Sequence, residues 1–87
     1  MGEKVIYEIE QAKRFTNALK HIKDRELKER ILKQISKIID NPEIGKPMRF
    51  TRKGTREVYI HPFRLSYNYS EEKKMINLLD LYHKDEQ

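Results

Sequence analysis

The sequence contains no cysteine. Disulfide staples and thiolate metal sites are therefore excluded, which fits a protein made in a reducing compartment such as the cytoplasm. Nor is there an apolar run of about 18 residues, so no segment reads as a membrane-spanning helix. The opening Met1-Gly2-Glu3-Lys4 has none of the apolar character that a secretion signal needs. No internal repeat, low-complexity tract or linker interrupts the chain. Its three histidines, His21, His61 and His83, lack the spacing of a metal site. Neither a metal nor a cofactor is expected.

What is present is charge. Of the 87 residues, 38% are charged and 37% apolar, so one modest core must be assembled from amphipathic elements within a single domain, residues 1–87. Val5, Tyr7 and Ile9 alternate as a first strand would. From Glu10 the period lengthens, with Ala12, Phe15, Leu19 and Ile22 on one side of a helix of about 12 residues. Asp24 is placed to cap a second helix of about 16 residues. Leu27, Ile31, Ile35 and Ile38 form its buried stripe, widened by Leu32 and Ile39. Asp40-Asn41-Pro42 stops it, because residues before proline avoid the helical region.

The rest reads as strands. Met48 and Phe50 alternate with Arg49 and Thr51 up to a turn at Lys53-Gly54. Val58 and Ile60 alternate with Glu57 and Tyr59 until His61-Pro62. Leu65, Tyr67 and Tyr69 alternate with Arg64, Ser66 and Asn68, and a polar turn at 71–74 leads into a last strand from Met75 to Tyr82. The expected fold is α+β, in the order β-α-α-β-β-β-β, with the helix pair on one face of the sheet. Phe50, Val58, Ile60, Leu65 and Tyr67 would be buried beneath the helices. The other face would carry Arg49, Tyr59, Arg64, Ser66 and Asn68.

The net charge of +5 is unevenly spread. Residues 41–70 hold six basic and two acidic side chains, whereas residues 71–87 hold three basic and five acidic ones. Between Lys46 and Arg56 stand five cations (Lys46, Arg49, Arg52, Lys53, Arg56) and no acid. Cations fixed on strands suit a phosphate backbone, although the same charges would also guard an edge strand against aggregation.

Several short motifs now fall into order. They are Asn41-Pro42 with Gly45-Lys46-Pro47, then Gly54-Thr55-Arg56-Glu57-Val58-Tyr59-Ile60, then Pro62-Phe63-Arg64-Leu65-Ser66-Tyr67, and finally His83-Lys84-Asp85. Together they resemble the RelE/ParE superfamily of toxins from toxin–antitoxin modules, over roughly Val5 to Asp85. The resemblance implies a twisted, mainly antiparallel sheet with a helical hairpin on one face. Likeness to the RelE branch implies a cytoplasmic endoribonuclease that cuts messenger RNA on the ribosome. It places Arg64 on the scissile phosphate and sets Arg49, Arg52, Lys53 and Arg56 along the RNA backbone, where Lys46, by its place in the same cationic run, would join them. His83 and Lys84 are then acid–base or phosphate-binding groups. It further implies a RelB-like antitoxin partner in a hetero-oligomer. Many relatives end in a tyrosine shortly after the histidine, whereas this chain ends Asp85-Glu86-Gln87. The ParE branch has the same fold but acts on DNA gyrase, and a fold that has lost its activity is a third reading.

Metal-free RNA cleavage needs a base for the 2′-hydroxyl, cations for the phosphorane and an acid for the departing 5′-oxygen. A guanidinium grips two phosphate oxygens and stays charged, so Arg64 suits the second role, with Arg56 and Lys84 able to share it. Imidazoles titrate near neutrality, which makes His83 the acid or base candidate. Glu57, the one carboxylate between Glu43 and Glu71, is a second base candidate.

Overall fold

The computed structural model of the chain describes residues 6–49 and 54–85. Strand β1 (Glu8–Gln11) leads into helices α1 (Lys13–His21) and α2 (Arg25–Asp40). A single 3-10 turn (Pro42–Ile44) precedes β2 (Lys46–Pro47), β3 (Arg56–Ile60), β4 (Phe63–Ser70) and β5 (Met75–His83). The order β-α-α-β-β-β-β is the expected one. Within the sheet the strands lie β1-β5-β4-β3-β2. All pairings are antiparallel except β1 with β5, which is parallel.

The parallel pairing moves the first boundary. Ala12 N donates to Leu78 O at 2.8 Å, so the backbone stays with the sheet beyond Glu10. Helix α1 accordingly begins at Lys13 and has 9 residues, rather than about twelve starting from Glu10. The second helix starts where the sequence indicates. The Asp24 carboxylate accepts from Glu26 N at 3.0 Å and Leu27 N at 3.3 Å, satisfying two first-turn amides that have no partner within the helix.

Leu27, Ile31 and Ile38 are buried, with Ile35 and Ile39 packed partly against the core. Leu32 is not part of that stripe, since it is 53% exposed. At about 100° per residue it is turned well away from Ile31. The helices cover Val58, Ile60, Leu65 and Tyr67, as the strand alternation requires. Phe50, expected in the same layer, lies outside the described residues, as do Val5, Arg52 and Lys53.

One irregularity sets up everything on the far face. Ser66 pairs with Asp80, but its neighbour Tyr67 pairs with Leu78, leaving Leu79 as an extra residue on β5. Such a bulge resets the alternation of a strand. Leu78 and Leu81, three positions apart, can therefore both point into the core, at 1% and 3% exposure. Beyond the bulge, Asp80 and Tyr82 turn to the helix-free face and His83 turns toward the helices.

Candidate functional site

On the helix-free face, register places side chains in two rows. Tyr59, Arg64 and Tyr82 are cross-strand neighbours, as are Glu57, Ser66 and Asp80. Arg64 is the middle member of the first row, on the central strand β4. Its Nη1 is 3.9 Å from Glu57 Oε1, and its guanidinium carbon stands 6.0 Å from the centre of the Tyr59 ring. The Tyr82 hydroxyl donates to Glu57 Oε2. Glu57 and Ser66 are each only 8% exposed, although the sequence pattern assigned Ser66 to an open polar surface. A carboxylate at that depth requires partners, and Tyr82 and Arg64 supply them.

Beside this cluster is an open groove of about 1050 Å³. Lys46, Met48 and Arg49 line it from the β2 edge, Lys37 and Gln34 from α2, and Glu57, Tyr59 and Arg64 from the sheet. Four of these side chains are cationic and one is acidic. The expected pairing of Arg64 and Glu57 with Lys46 and Arg49 is therefore present among the described residues, and Lys37 adds a cation that the strand-centred reading missed.

Two expected members of the site are elsewhere. Arg56 faces the helix side of β3, because it is one residue out of phase with Glu57 and Tyr59. Its Nη1 donates to Glu43 O at 3.0 Å and Gly45 O at 2.8 Å, and its guanidinium carbon lies 5.8 Å from the Tyr69 ring centre. It braces the turn after α2. His83 pairs with Phe63 across the strands and meets that ring edge-on at 5.5 Å. It also lies 3.7 Å from Asp85 Oδ2. The bulge at Leu79 brings Tyr82 beside Arg64; an unbroken alternation would have set Leu81 there and turned His83 to the same face. Lys84 is next in phase with Tyr82, is exposed, and ties its backbone N–H to Pro62 O at 3.0 Å.

Sequence reasoning also missed His61 here. Its Nδ1 lies 2.7 Å from the Tyr59 hydroxyl, and the two rings meet nearly at right angles. The available signal was the spacing of two between Tyr59 and His61, which keeps both on one side of an extended strand.

The turn that carries Lys46 toward the groove is bolted down from below. Tyr67, fully buried, donates its hydroxyl to Pro42 O at 2.6 Å and accepts from Gly45 N at 2.9 Å. Asn41 Oδ1 accepts from Glu43 N, and the Tyr69 hydroxyl donates to Glu43 Oε2. Burial pushes the Tyr67 phenol above the ordinary tyrosine value, opposed in part by the Gly45 amide and the Arg56 charge. An unfolded tyrosine loses its proton near pH 10, whereas folded Tyr67 retains its own to a higher pH. The stabilisation is therefore complete below about pH 10 and is lost as pH rises toward the folded value. Denaturant midpoints between about pH 9 and 11 should fall more steeply for the wild type than for Tyr67→Phe. Parallel curves would show that this phenol does not govern alkaline stability.

A family profile described as the ParE-like toxin of the type II bacterial toxin–antitoxin system matches residues 9–86. A search of curated protein sequences finds no match. Among solved structures, the chain is similar to one in the RelBE2 toxin–antitoxin complex of Mycobacterium tuberculosis. The identity there is 22% and the TM-score 0.78, covering 92% of this chain and 100% of that one. The YoeB/ParE toxin of Agrobacterium tumefaciens aligns at 14% identity with a TM-score of 0.79, over 87% of this chain and 96% of that one. The archaeal RelE–RelB complex of Pyrococcus horikoshii gives 17% and 0.73, over 93% and 98%. At these identities the structures establish a shared fold, and the profile carries the assignment: the chain belongs to the ParE-like toxins of type II toxin–antitoxin systems, within the RelE/ParE superfamily.

Proposed function

We propose that this toxin is a ribosome-dependent endoribonuclease that cuts messenger RNA by attack of a ribose 2′-hydroxyl on the neighbouring phosphate. One observation carries the reading: Arg64 projects from the helix-free face in contact with a deeply set carboxylate and beside a cation-lined groove. The scissile phosphate would take the guanidinium, loosening its contact with Glu57. Glu57, still held by Tyr82, would then accept the 2′-hydroxyl proton as the 2′-oxygen bonds to phosphorus and the bond from phosphorus to the 5′-oxygen breaks. This leaves a 2′,3′-cyclic phosphate and a 5′-oxygen that takes its proton from solvent. Lys46, Arg49 and Lys37 would follow the backbone on either side, and Lys84 would add a charge at the end of β5. With few acid–base groups of its own, the toxin would rely on the ribosome to align the RNA, since positioning alone can contribute several kcal/mol.

The structural neighbours that are RelE–RelB complexes support a partner of the same kind, a RelB-like antitoxin whose binding covers Arg64 or shifts the C-terminal tail. A toxin–antitoxin complex that left both exposed while activity was blocked would contradict that mode of control. A second reading, inhibition of DNA gyrase in the manner of the ParE branch, draws on the position of His83, which leaves the expected imidazole on the opposite side from Arg64.

Incubating the purified chain with translating ribosomes separates the two. Nuclease action gives discrete transcript fragments with gyrase supercoiling untouched. Intact transcripts together with blocked supercoiling would replace the nuclease reading by the gyrase one.

A further inference from the structure

Tyr59 does not serve the core. It stands on the helix-free face, 50% exposed, while the core-facing residues on either side of it, Val58 and Ile60, do the packing. Yet its ring is not loose. The hydroxyl is fixed by His61 Nδ1 at 2.7 Å, the imidazole abuts the ring at 5.7 Å and 80°, and Arg64 stands over it at 6.0 Å. A half-exposed aromatic held by a neighbouring imidazole beside a cation suited to phosphate is the arrangement used to stack unpaired bases. Resting on the nuclease reading, we propose that Tyr59, oriented by His61, is the platform on which one unpaired nucleobase stacks next to the phosphate held by Arg64.

The guanidinium occupies one side of the ring, so the base takes the open side. Its sugar–phosphate then lies toward Lys46 and Arg49, which line the same groove as Tyr59. A π-face accepts any base, so the platform gives position along the strand rather than strong base identity. The competing role is a plain cross-strand pair, in which Tyr59 and Arg64 stabilise the β3–β4 hairpin. That role affects folding but is indifferent to whether the ligand has bases.

The deciding experiment uses two short single-stranded probes of equal length and charge. One is a 2′-O-methylated RNA, which cannot be cleaved, and the other is the same backbone without bases. Tyr59→Ala is expected to weaken binding of the first about 5- to 150-fold, the range for losing one stacked base, and to leave the second unchanged. Tyr59→Phe keeps the ring and should stay within about threefold of wild type on both probes. Tyr59→Leu supplies apolar bulk without a π-face and serves if the alanine variant does not fold. Equal losses on both probes, or no loss on either, would overturn the platform. Should Tyr59→Ala have no effect while Arg64→Ala weakens both probes, only the platform falls. Should wild type bind neither probe, the platform falls, and transcript cleavage on ribosomes decides the nuclease reading separately.

Discussion

Arg64→Ala should slow transcript cleavage on ribosomes by about 10²- to 10³-fold, the usual cost of removing a positioned group that meets charge developing in a transition state. The guanidinium lies 3.9 Å from the carboxylate and 6.0 Å from the centre of the aromatic ring of the site. On the nuclease reading its loss removes the phosphate grip, and it also leaves Glu57, at 8% exposure, with less compensation for its charge. Part of any deficit therefore reflects a disturbed site to the extent that Arg64→Ala melts below wild type. Because Glu57 is the proposed base, substituting it cannot separate the two effects. Rescue of Arg64→Ala cleavage by free guanidinium at an unchanged melting temperature would show that Arg64 acts on the RNA. Arg64→Lys retains charge but not the fork, so it should recover only part of the rate. Single-turnover cleavage by Arg64→Ala within a few-fold of wild type would remove this residue from the chemistry.

The second large effect is on stability. Gly45→Ala should cost about 2–4 kcal/mol, combining overpacking with disrupted hydrogen bonds, or roughly 10–25 °C in melting temperature for a chain of this size. A β-carbon there would lie 2.6 Å from the Tyr67 hydroxyl, 2.7 Å from its Cε1 and 3.0 Å from Arg56 Cβ. The ring cannot step aside without releasing Pro42 O and Gly45 N, the two groups it satisfies. The backbone is not the obstacle, since Gly45 has φ −71°, an ordinary value for any residue. Tyr67→Phe removes the nearest clashing atom, so the double variant should be less destabilised than the sum of the single ones. Strict additivity in thermal melts would show that the two residues do not meet in this way.

The periodicities explain how much of this could be read in advance. Asp24, the α2 stripe and the inward set Val58, Ile60, Leu65 and Tyr67 follow from spacing alone, because one buried face fixes register. The motif Asn41-Pro42 with Gly45 was visible, but not its reason, which is a phenol 22 residues farther along the chain. The exposure of Leu32 was hidden because an apolar residue beside a helical stripe looks like part of it. Strand alternation set Arg64 and Glu57 on one face, where they lie 3.9 Å apart, but it did not show that His83 falls on the other. A bulge has no signature in β5, where Leu78, Leu79 and Leu81 are equally acceptable inward residues, so the phase at Tyr82 and His83 is decided by packing. Arg56 was counted with its cationic neighbours although strand phase alone separates it from them.

The parallel strand pair carries a temporal consequence. Among the described strands β1 is the first in the chain, and the strand it pairs with, β5, is the last. A nascent chain that has not yet reached Met75 has neither Tyr82 to hold Glu57 nor the strand that joins its beginning to its middle. Closing so distant a contact is slow relative to local helix formation. The β-layer that frames Arg64 and Glu57 is thereby closed only after the β5 residues have emerged from the ribosome.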